Sequence, residues 1–344
     1  MVDLYPVLRP LLMALEPERA HRLTLRALKA GLSPCYKNND ASLKTKLWGR
    51  EFQNPMGMAA GFDKDAEVIA PLLNLGFGFV EVGSVTPLPQ PGNPRPRIFR
   101  DIAHESVVNR MGFPGKGLEV FAKNILSFRK KNFATSGILG VNIGINKGTL
   151  SPLEDYRHCM AVLSPLADYI TINVSSPNTA GLRDLQQKEE LDKLLSGLMA
   201  EKKIPFLLKI APDLDAGSRA DIAALALRHR IDGLVISNTR KHEQGGLSGR
   251  LLKDLSTDMI RDFYQLTGGL LPIIGVGGVS SAEDAYEKIR AGASLVQLYT
   301  ALIYQGPVLI TRILEGLARL VKRDGFQHVS EAVGTGNTTP KVVV

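Results

Sequence analysis

The sequence predicts an α/β protein built as a (β/α)₈ barrel, with a small N-terminal two-helix extension. Eight short, apolar, β-branched runs alternate with segments of helical periodicity, which is typical of parallel strands joined by crossover helices. Nearly every run ends in a polar, cationic or glycine residue. The chain of 344 residues also exceeds the roughly 250 residues that one such barrel needs.

The repeating units follow one another along most of the chain. The predicted strands are 55–60, 79–84, 138–143, 169–174, 206–210, 233–237, 272–276 and 294–299. The predicted helices are 64–75, 117–130, 153–166, 188–203, 217–230, 256–267, 281–291 and 307–323. Eight units favour closure into a barrel, although the count alone also allows an open sheet.

Residues 1–32 are predicted to form two short helices separated by a turn at Glu16 and Pro17. Their apolar stripes hold Leu4, Leu8, Leu11, Leu12 and Leu15, then Leu23, Ala27 and Leu28. Their cationic faces hold Arg9, Arg19, Arg22, Arg26 and Lys29. A basic amphipathic pair can lie on an anionic bilayer; the alternative is that the stripes pack on the barrel. We therefore divide the chain into an extension (1–40), a barrel (41–335) and a mobile tail (336–344).

The composition is that of an ordinary globular protein, with 44% hydrophobic and 22% charged residues. The net charge of +8 is spread along the chain without a basic run, so it fits either a solvated surface or anionic ligands. No segment approaches the roughly 20 apolar residues of a membrane span. Cys35, Cys159 and six scattered histidines give neither a disulfide framework nor a metal-ligand spacing, so we expect a reducing compartment and no metal.

Polar side chains concentrate where the predicted strands end. They are Lys64, Ser84, Asn142, Asn173, Lys209, the Ser237-Asn238-Thr239 run, and Tyr299 with Thr300. In barrel enzymes the active site is formed at these carboxyl ends. A lysine is costly to bury unless an anion pairs with it. The alternative, that Lys64 and Lys209 simply reach solvent, does not account for so many polar strand ends together.

Glycines after the seventh predicted strand indicate a phosphate site. The run 275–278 reads GVGG and precedes a helix beginning near Ser281, whose free N–H groups can bind an anion. Gly249 could bring another segment of backbone to the same phosphate. A GxGxxG fingerprint is absent from the sequence, so FMN, with one phosphate, fits better than a dinucleotide. Lys209 would stabilise a reduced flavin, and Ser84, Asn142 and Asn173 could bind its heteroatoms.

The rest of the predicted site is rich in amides. Asn109, Asn173, Asn178 and Asn238 each offer a donor and an acceptor, which suits a planar imide or ureide edge. Lys64 would pair with a carboxylate of the same ligand.

The motifs AAGFDK, GSVTP, NRMGFPG, NVSSPNTAGLR, KIAPD, SNT, GGLSG, GVGGV and QLYTA occur in this order. Over about residues 20–335 the chain closely resembles the dihydroorotate dehydrogenase family. The resemblance implies FMN as cofactor and oxidation of dihydroorotate to orotate in pyrimidine synthesis. The implied FMN contacts are Ala60, Gly61, Phe62, Asp63, Lys64, Ser84, Asn142, Asn173, Lys209, Ser237, Gly249, Gly278, Tyr299 and Thr300. The implied orotate contacts are Lys64, Asn109, Arg110, Met111, Gly112, Phe113, Asn173, Asn178, Asn238 and Thr239.

Ser176 occupies the position of the family's catalytic base, and the resemblance places this chain in the class with a serine base, an N-terminal helical extension and a membrane quinone as acceptor. In that class the extension forms a tunnel mouth, with His21, Arg100 and Tyr299 near the quinone head. A serine needs a partner or relay to accept a proton at neutral pH, and we expect a hydroxyl or water relay. We also expect a monomer, peripheral on the cytoplasmic side of a bacterial inner membrane, that binds no nucleic acid.

Two other functions are weighed against this one. A tRNA dihydrouridine synthase, also an FMN barrel, would need a cysteine base at a strand end and a C-terminal RNA-binding helical domain, and neither is evident in the sequence. A non-catalytic membrane-bound scaffold would have little reason to keep the polar strand ends.

Overall fold

The computed structural model describes residues 3–32, 35–36, 40–131 and 137–337, and contains a closed barrel of eight parallel strands. The strands in chain order are β1 (Thr45–Leu47), β2 (Arg50–Phe52), β3 (Met56–Met58), β4 (Phe79–Val85), β5 (Ile98–Asp101), β6 (Ser106–Asn109), β7 (Ile138–Ile143), β8 (Tyr169–Asn173), β9 (Phe206–Ile210), β10 (Gly233–Ile236), β11 (Arg240–His242), β12 (Gly245–Gly249), β13 (Ile273–Val276) and β14 (Leu295–Leu298). The barrel order is β3, β4, β7, β8, β9, β10, β13, β14 and back to β3. All eight predicted barrel strands and the closure are confirmed.

Eleven helices are present in the described residues. They are α1 (Tyr5–Ala14), α2 (Pro17–Lys29), α3 (Ile69–Asn74), α4 (Leu118–Lys131), α5 (Pro152–Leu163), α6 (Lys188–Met199), α7 (Ala216–Arg228), α8 (Lys253–Leu266), α9 (Ala282–Ala291), α10 (Thr300–Gln305) and α11 (Leu309–Arg323). Several begin at a side-chain cap that satisfies free backbone N–H groups: Ser151 accepts from Glu154 N at 3.4 Å, Asp215 from Ser218 N at 2.8 Å, and Ser281 from Asp284 N at 3.1 Å. The strands are buried because these helices cover the outside of the barrel.

Helix α3 is shorter than the predicted 64–75, and the reason lies at Asp63. Its carboxylate accepts hydrogen bonds from the backbone N–H groups of Glu67 at 2.8 Å and Val68 at 2.7 Å. These bonds hold a turn before the helix begins at Ile69. Lys64 consequently stands in a loop at the end of the barrel rather than in a helix.

A four-stranded antiparallel sheet, in the order β11, β12, β6, β5, was not predicted. Its strands come from the insertions after β4 and β10, and β6 pairs with β12 through Asn109↔Gly246 and Ser106↔Gly249. The sheet therefore carries Asn109 and Gly249, two predicted site residues, beside the barrel end. Its strands are short and partly polar, so their periodicity is weak.

The amino end of the barrel is covered by the β1–β2 hairpin. The Phe52 ring at its end is fully buried and meets the Phe79 ring edge to face, with centroids 5.5 Å apart. Trp48, in the turn, lies 5.5 Å from the Tyr169 ring and donates its indole N–H to Asp232 O at 2.9 Å. Aromatic packing thus fills the first layer of the barrel interior.

The N-terminal extension forms the two predicted helices. Pro17 begins α2, and the Glu16 carboxylate accepts from the N–H groups of Glu18 and Arg19 at 3.0 and 2.9 Å. Helix α1 has no buried residue, and the exposed fractions of Leu4, Val7 and Leu11 are 62%, 78% and 65%. Much of the apolar stripe therefore does not pack on the barrel. No helix in the described ranges is long and apolar enough to cross a bilayer.

The predicted tail is described only at its start. Gly336 N donates to Arg290 O at 2.8 Å and the Asn337 amide donates to Ala291 O at 3.0 Å, so both residues pack on the end of α9. The remaining residues, 338–344, lie outside the described ranges, as do 37–39 beside the predicted boundary at residue 40.

Candidate active site

A cavity of about 560 Å³ lies at the carboxyl end of the barrel strands and extends between α1 and α2. Most of the predicted site residues line it. They are Ala60, Gly61, Phe62, Lys64, Ser84, Asn109, Met111, Gly112, Phe113, Asn173, Ser176, Asn178, Lys209, Ser237, Asn238, Thr239, Gly249, Gly278, Tyr299 and Thr300, together with His21 and Arg100. Residues separated by more than 200 positions in sequence are thus gathered around one space.

Three predicted residues do not line this cavity. Asp63 is buried and caps the turn before α3. Asn142 is fully buried behind Ser84 and Asn173. The Arg110 guanidinium points outward, donates to Pro96 O at 2.8 Å and lies over the Phe99 ring. The contacts predicted for these residues with FMN or orotate stay predictions.

A buried hydrogen-bond network fixes the amides at the base of the cavity. Asn173 donates to Ser84 Oγ at 3.1 Å and to Asn142 Oδ1 at 3.2 Å, and Ser84 donates to the same Asn142 oxygen. Asn142 in turn donates to Glu81 Oε1 at 2.8 Å. Because every member is held by another, Asn173 and Ser84 face the cavity in fixed orientations.

Glu81 is a buried carboxylate that the sequence interpretation missed. Its second oxygen accepts from the Tyr169 hydroxyl at 3.0 Å, the Thr171 hydroxyl at 3.2 Å and the Gln297 amide at 3.0 Å. Four donors thus satisfy a charge that would otherwise be costly to bury. The signal was a lone glutamate inside the apolar run FVEVGSV of β4.

Lys209 stands on β9 with its side chain toward the barrel interior, and only 5% of the residue is exposed. Burial lowers the pKa of its ammonium, and the negative charge of Glu81 opposes that shift. Among the described residues, no protein group within hydrogen-bond distance accepts from its Nζ. A buried cation that lines a cavity without such an acceptor is suited to an anionic or electron-rich ligand.

Two glycines give the backbone close approach at another side of the cavity. Gly278 has φ +73°, and a Cβ there would lie 2.4 Å from Lys253 Cα; Gly249 has φ +96°, and its Cβ would lie 2.7 Å from Ser106 Cα. Any side chain would collide, so both positions require glycine. Thr300 adjoins them, donating its hydroxyl to Ser248 Oγ at 3.0 Å. Both glycines also line the cavity, where free backbone N–H groups could bind a phosphate.

The remaining amides come from three separate segments: the end of β6 and the loops after β8 and β10. Asn238 donates to Asn173 Oδ1 at 3.1 Å, and Asn178 donates to Asn109 Oδ1 at 3.3 Å. Lys64 reaches in from another loop and donates to Gly61 O at 2.6 Å. Burial lowers the pKa of Lys64 to about 8, against the opposing charges of Asp65 and Glu18. Its ammonium is still mainly protonated at pH 7 and can bind a carboxylate.

Ser176 lies in the loop after β8, nearly buried, and its Oγ accepts from Asn178 N at 3.3 Å. Arg183 holds this loop and was not predicted as a site residue. Its guanidinium donates to Ser175 O at 3.1 Å and Thr239 O at 3.0 Å, and pairs with Asp213 at 2.9 Å. It thereby joins the loops that carry Ser176 and Thr239. The cysteines are elsewhere: Cys159 is buried in α5.

An aromatic group separates the barrel part of the cavity from the part between α1 and α2. Phe62 meets Tyr299 at 5.5 Å on one side and His21 at 5.2 Å on the other, both edge to face. Burial, helped by the Lys64 charge, lowers the pKa of His21 to about 3, so its imidazole is neutral at pH 7. Arg100 donates to Met13 O at 3.0 Å and Leu15 O at 2.9 Å and so caps the end of α1.

The family model described as Dihydroorotate dehydrogenase matches residues 42–321. The chain belongs to the dihydroorotate dehydrogenase family. Members of this family are flavin-dependent oxidoreductases, and the fold described above is that of this family's barrel.

Curated relatives cover almost the entire chain. It is 52% identical to the dihydroorotate dehydrogenase (quinone) of Parvibaculum lavamentivorans, over 97% of this chain and 99% of the relative. It is 49% identical to the mitochondrial dihydroorotate dehydrogenase (quinone) of Mus musculus, over 96% and 89%. A crystal structure of DHODH from Eimeria tenella in complex with ferulenol aligns with a TM-score of 0.91 at 37% identity, covering 94% of this chain and 96% of the other.

Proposed function

We propose that this chain oxidises (S)-dihydroorotate to orotate in pyrimidine biosynthesis, with FMN as hydride acceptor and a membrane quinone as final electron acceptor. The observation that carries the proposal is the single cavity that joins Lys64, the amide cluster, Ser176 and Lys209 at one end to an opening between α1 and α2 at the other. The quinone-type relatives support the same acceptor.

The residues present fit FMN. Gly249 and Gly278 line the cavity without a side chain, and Lys209 offers an ammonium without a protein acceptor within the described residues. Ser84 and Asn173 present fixed polar atoms between these two points. FMN, when bound, supplies the hydride-accepting ring. Lys209 and the two amide-network residues would hold and polarise it, and Gly249, Gly278 and Thr300 would hold the phosphate.

The chain's own groups account for binding and proton removal. Lys64 would pair with the substrate carboxylate, while Asn109, Asn178 and Asn238 would bind the donor and acceptor edge of the ring. These contacts come from separate segments, so they fix the ring in one orientation. Ser176 Oγ would then accept the proton from C5 and pass its own hydroxyl proton to a hydroxyl or water relay, while C6 loses hydride. Arg183 would position Ser176 by holding the preceding carbonyl.

The opening between α1 and α2 suits a lipophilic acceptor. We propose that the quinone head approaches near His21, Arg100 and Tyr299, where a neutral imidazole can hydrogen-bond a carbonyl oxygen. The exposed apolar face of α1 would rest in the interfacial region of an anionic membrane, with the basic residues of α1 and α2 toward lipid phosphates. The protein would thus be a monomer, peripheral on the cytoplasmic side of a bacterial inner membrane.

Stopped-flow absorbance tests the reaction in two stages. Mixing the purified yellow protein with dihydroorotate should bleach its flavin band, and a short-chain ubiquinone should restore it. Fumarate as the second reactant should restore it far more slowly. Absence of bleaching by dihydroorotate would contradict the proposed substrate, and preference for fumarate would contradict the proposed acceptor.

Membrane binding is tested at α1. Replacing Val7 and Leu11 by glutamate adds two negative charges to a face that is already exposed, so folding should be unaffected while binding to vesicles containing anionic lipid falls at least tenfold. Vesicle co-sedimentation measures this, with a variant of exposed Leu150, Leu150→Glu, as the control. Equal vesicle binding by the Val7/Leu11 variant and by Leu150→Glu would contradict lipid binding by this face. A wild-type dimer that ultracentrifugation detects, and that is lost when α1 is changed, would contradict it as well.

A further inference from the structure

A buried ion pair joins α2 to the loop before β5. Arg97 Nε lies 2.6 Å from Glu18 Oε1, and its NH2 lies 3.3 Å from Glu18 Oε2. The exposed fractions of the two residues are 7% for Glu18 and 6% for Arg97. Arg95, which is more exposed, adds a contact to Glu18 Oε2 at 2.8 Å. Although burial alone would raise the pKa of Glu18, these arginines hold it below its usual value.

The same Arg97 guanidinium also organises the loop on its other side. NH1 donates to Pro91 O at 2.7 Å and to Asn93 O at 2.9 Å. The Asn93 side chain donates to Asn178 O at 3.0 Å, and its backbone N–H donates to Met111 O at 2.9 Å. Arg97 therefore contacts Asn93, and Asn93 contacts two predicted substrate-binding loops, at Asn178 and at Met111.

Packing around Asn93 leaves little freedom for this connection. A Cβ on Gly112 would lie 2.7 Å from the Asn93 amide, and a Cβ on Gly92 would lie 2.4 Å from Met111 O. Loop 91–97 and loop 110–114 are thus in direct contact. A shift of Arg97 would be passed to Asn178 and Met111, since packed groups cannot move independently.

We infer that Arg97, held by Glu18, is a positioning residue through which the docking of α2 sets the affinity of the substrate site. This rests on the proposed function, in which Asn178 binds the substrate and α2 borders the quinone opening; Met111 is a predicted orotate contact that lines the same cavity. Binding of quinone between α1 and α2, or contact of α2 with lipid, would then alter the affinity for substrate. Bound substrate would in turn alter the affinity for quinone or lipid by the same factor.

The chain offers a matched control for this inference. Lys29, near the end of α2, pairs with Glu67 at 2.8 Å. That pair also attaches α2 to the barrel, but Glu67 binds Lys116 and forms no hydrogen bond or ion pair with loop 91–97 among the described residues. Lys29→Met therefore loosens α2 without disturbing Arg97, whereas Glu18→Gln removes the charge that holds Arg97.

The test uses the flavin-containing protein and orotate titrations that follow the flavin spectrum. Glu18→Gln should raise the Kd of orotate and the KM of dihydroorotate about tenfold, the size of a coupling between contacting residues. Flavin reduction at saturating dihydroorotate should stay within about twofold. Arg97→Lys, which keeps the charge pair but loses the carbonyl contacts, should raise the Kd similarly. Lys29→Met should leave it unchanged.

A double-mutant cycle completes the test. Asn93→Ala combined with Glu18→Gln should raise the Kd by less than the product of the two single effects, because both break one connection. Equal effects of Glu18→Gln and Lys29→Met, or multiplicative effects in the cycle, would overturn the inference. Failure of the proposed function would differ, since dihydroorotate would then not bleach the wild-type flavin.

Discussion

Ser176→Ala is expected to slow reduction of the flavin by dihydroorotate several hundredfold or more, because one positioned acid–base group contributes about 10²–10⁴-fold. The measurement is single-turnover flavin bleaching at saturating dihydroorotate. Within the part of the chain that the structure describes, Ser176 Oγ forms one hydrogen bond, which it accepts from Asn178 N, so its removal should leave the loop in place. The Kd of orotate should accordingly change by no more than a few-fold.

Ser176→Cys distinguishes a catalytic base at this position from a hydroxyl that has only a structural role. A thiol ionises near pH 8.5, so flavin reduction by Ser176→Cys should accelerate as pH rises through that value, whereas Ser176→Ala should not respond. If Ser176→Ala reduced its flavin as fast as the wild type, another group would be the base.

Lys64→Ala is expected to weaken orotate binding a hundredfold or more. Removing one partner of an enclosed charge pair costs about 2–5 kcal/mol, since the other charge loses its counter-ion. Fluorescence or absorbance titration of the flavin measures the loss. Lys116→Met is the control: this lysine pairs with Glu67 outside the cavity. Orotate affinity that is unchanged in Lys64→Ala would remove the carboxylate role.

The pH dependence of binding gives a second measurement on Lys64. Its pKa is lowered to about 8 by burial, and only the protonated form pairs with a carboxylate. Orotate affinity should thus be constant below pH 7 and fall as pH rises through 8, approaching tenfold per pH unit. In Lys64→Ala this component of the pH dependence should vanish. A wild-type affinity that rises with pH over this range would contradict the assignment.

The barrel could be predicted because its signal is local and repeated. Runs such as 206–210 and 272–276 are mainly apolar, and each is followed by a clear helical pattern. The antiparallel sheet was missed because strands such as Arg240–His242 are polar and short. Its pairing partners also lie far apart in sequence, as Gly246 and Asn109 do, so only the fold brings them together.

The candidate site likewise contains residues that the sequence could predict and residues that it could not. Lys64, Ser176 and Lys209 could be predicted because each stands at a strand end or in a long motif. Arg97 binds the carboxylate of Glu18, 79 positions away, and Arg183 binds the carbonyl of Thr239, 56 positions away. Nothing in their local sequence indicates those partners. Arg110 differs from these residues. The motif NRMGFPG placed it in the predicted site, but its guanidinium lies over the Phe99 ring and donates to Pro96 O.

The β1–β2 hairpin limits the routes by which ligands can reach the interior of the barrel. Phe52, Phe79 and Tyr169 fill the amino end of the barrel with rings that leave no exposed surface. Directly above them, Glu81 is saturated by donors and fully enclosed. The interior of the barrel is therefore closed at its amino end. Substrate, product, acceptor and the proton that Ser176 would release must therefore all pass the loops and helices at the carboxyl end of the strands.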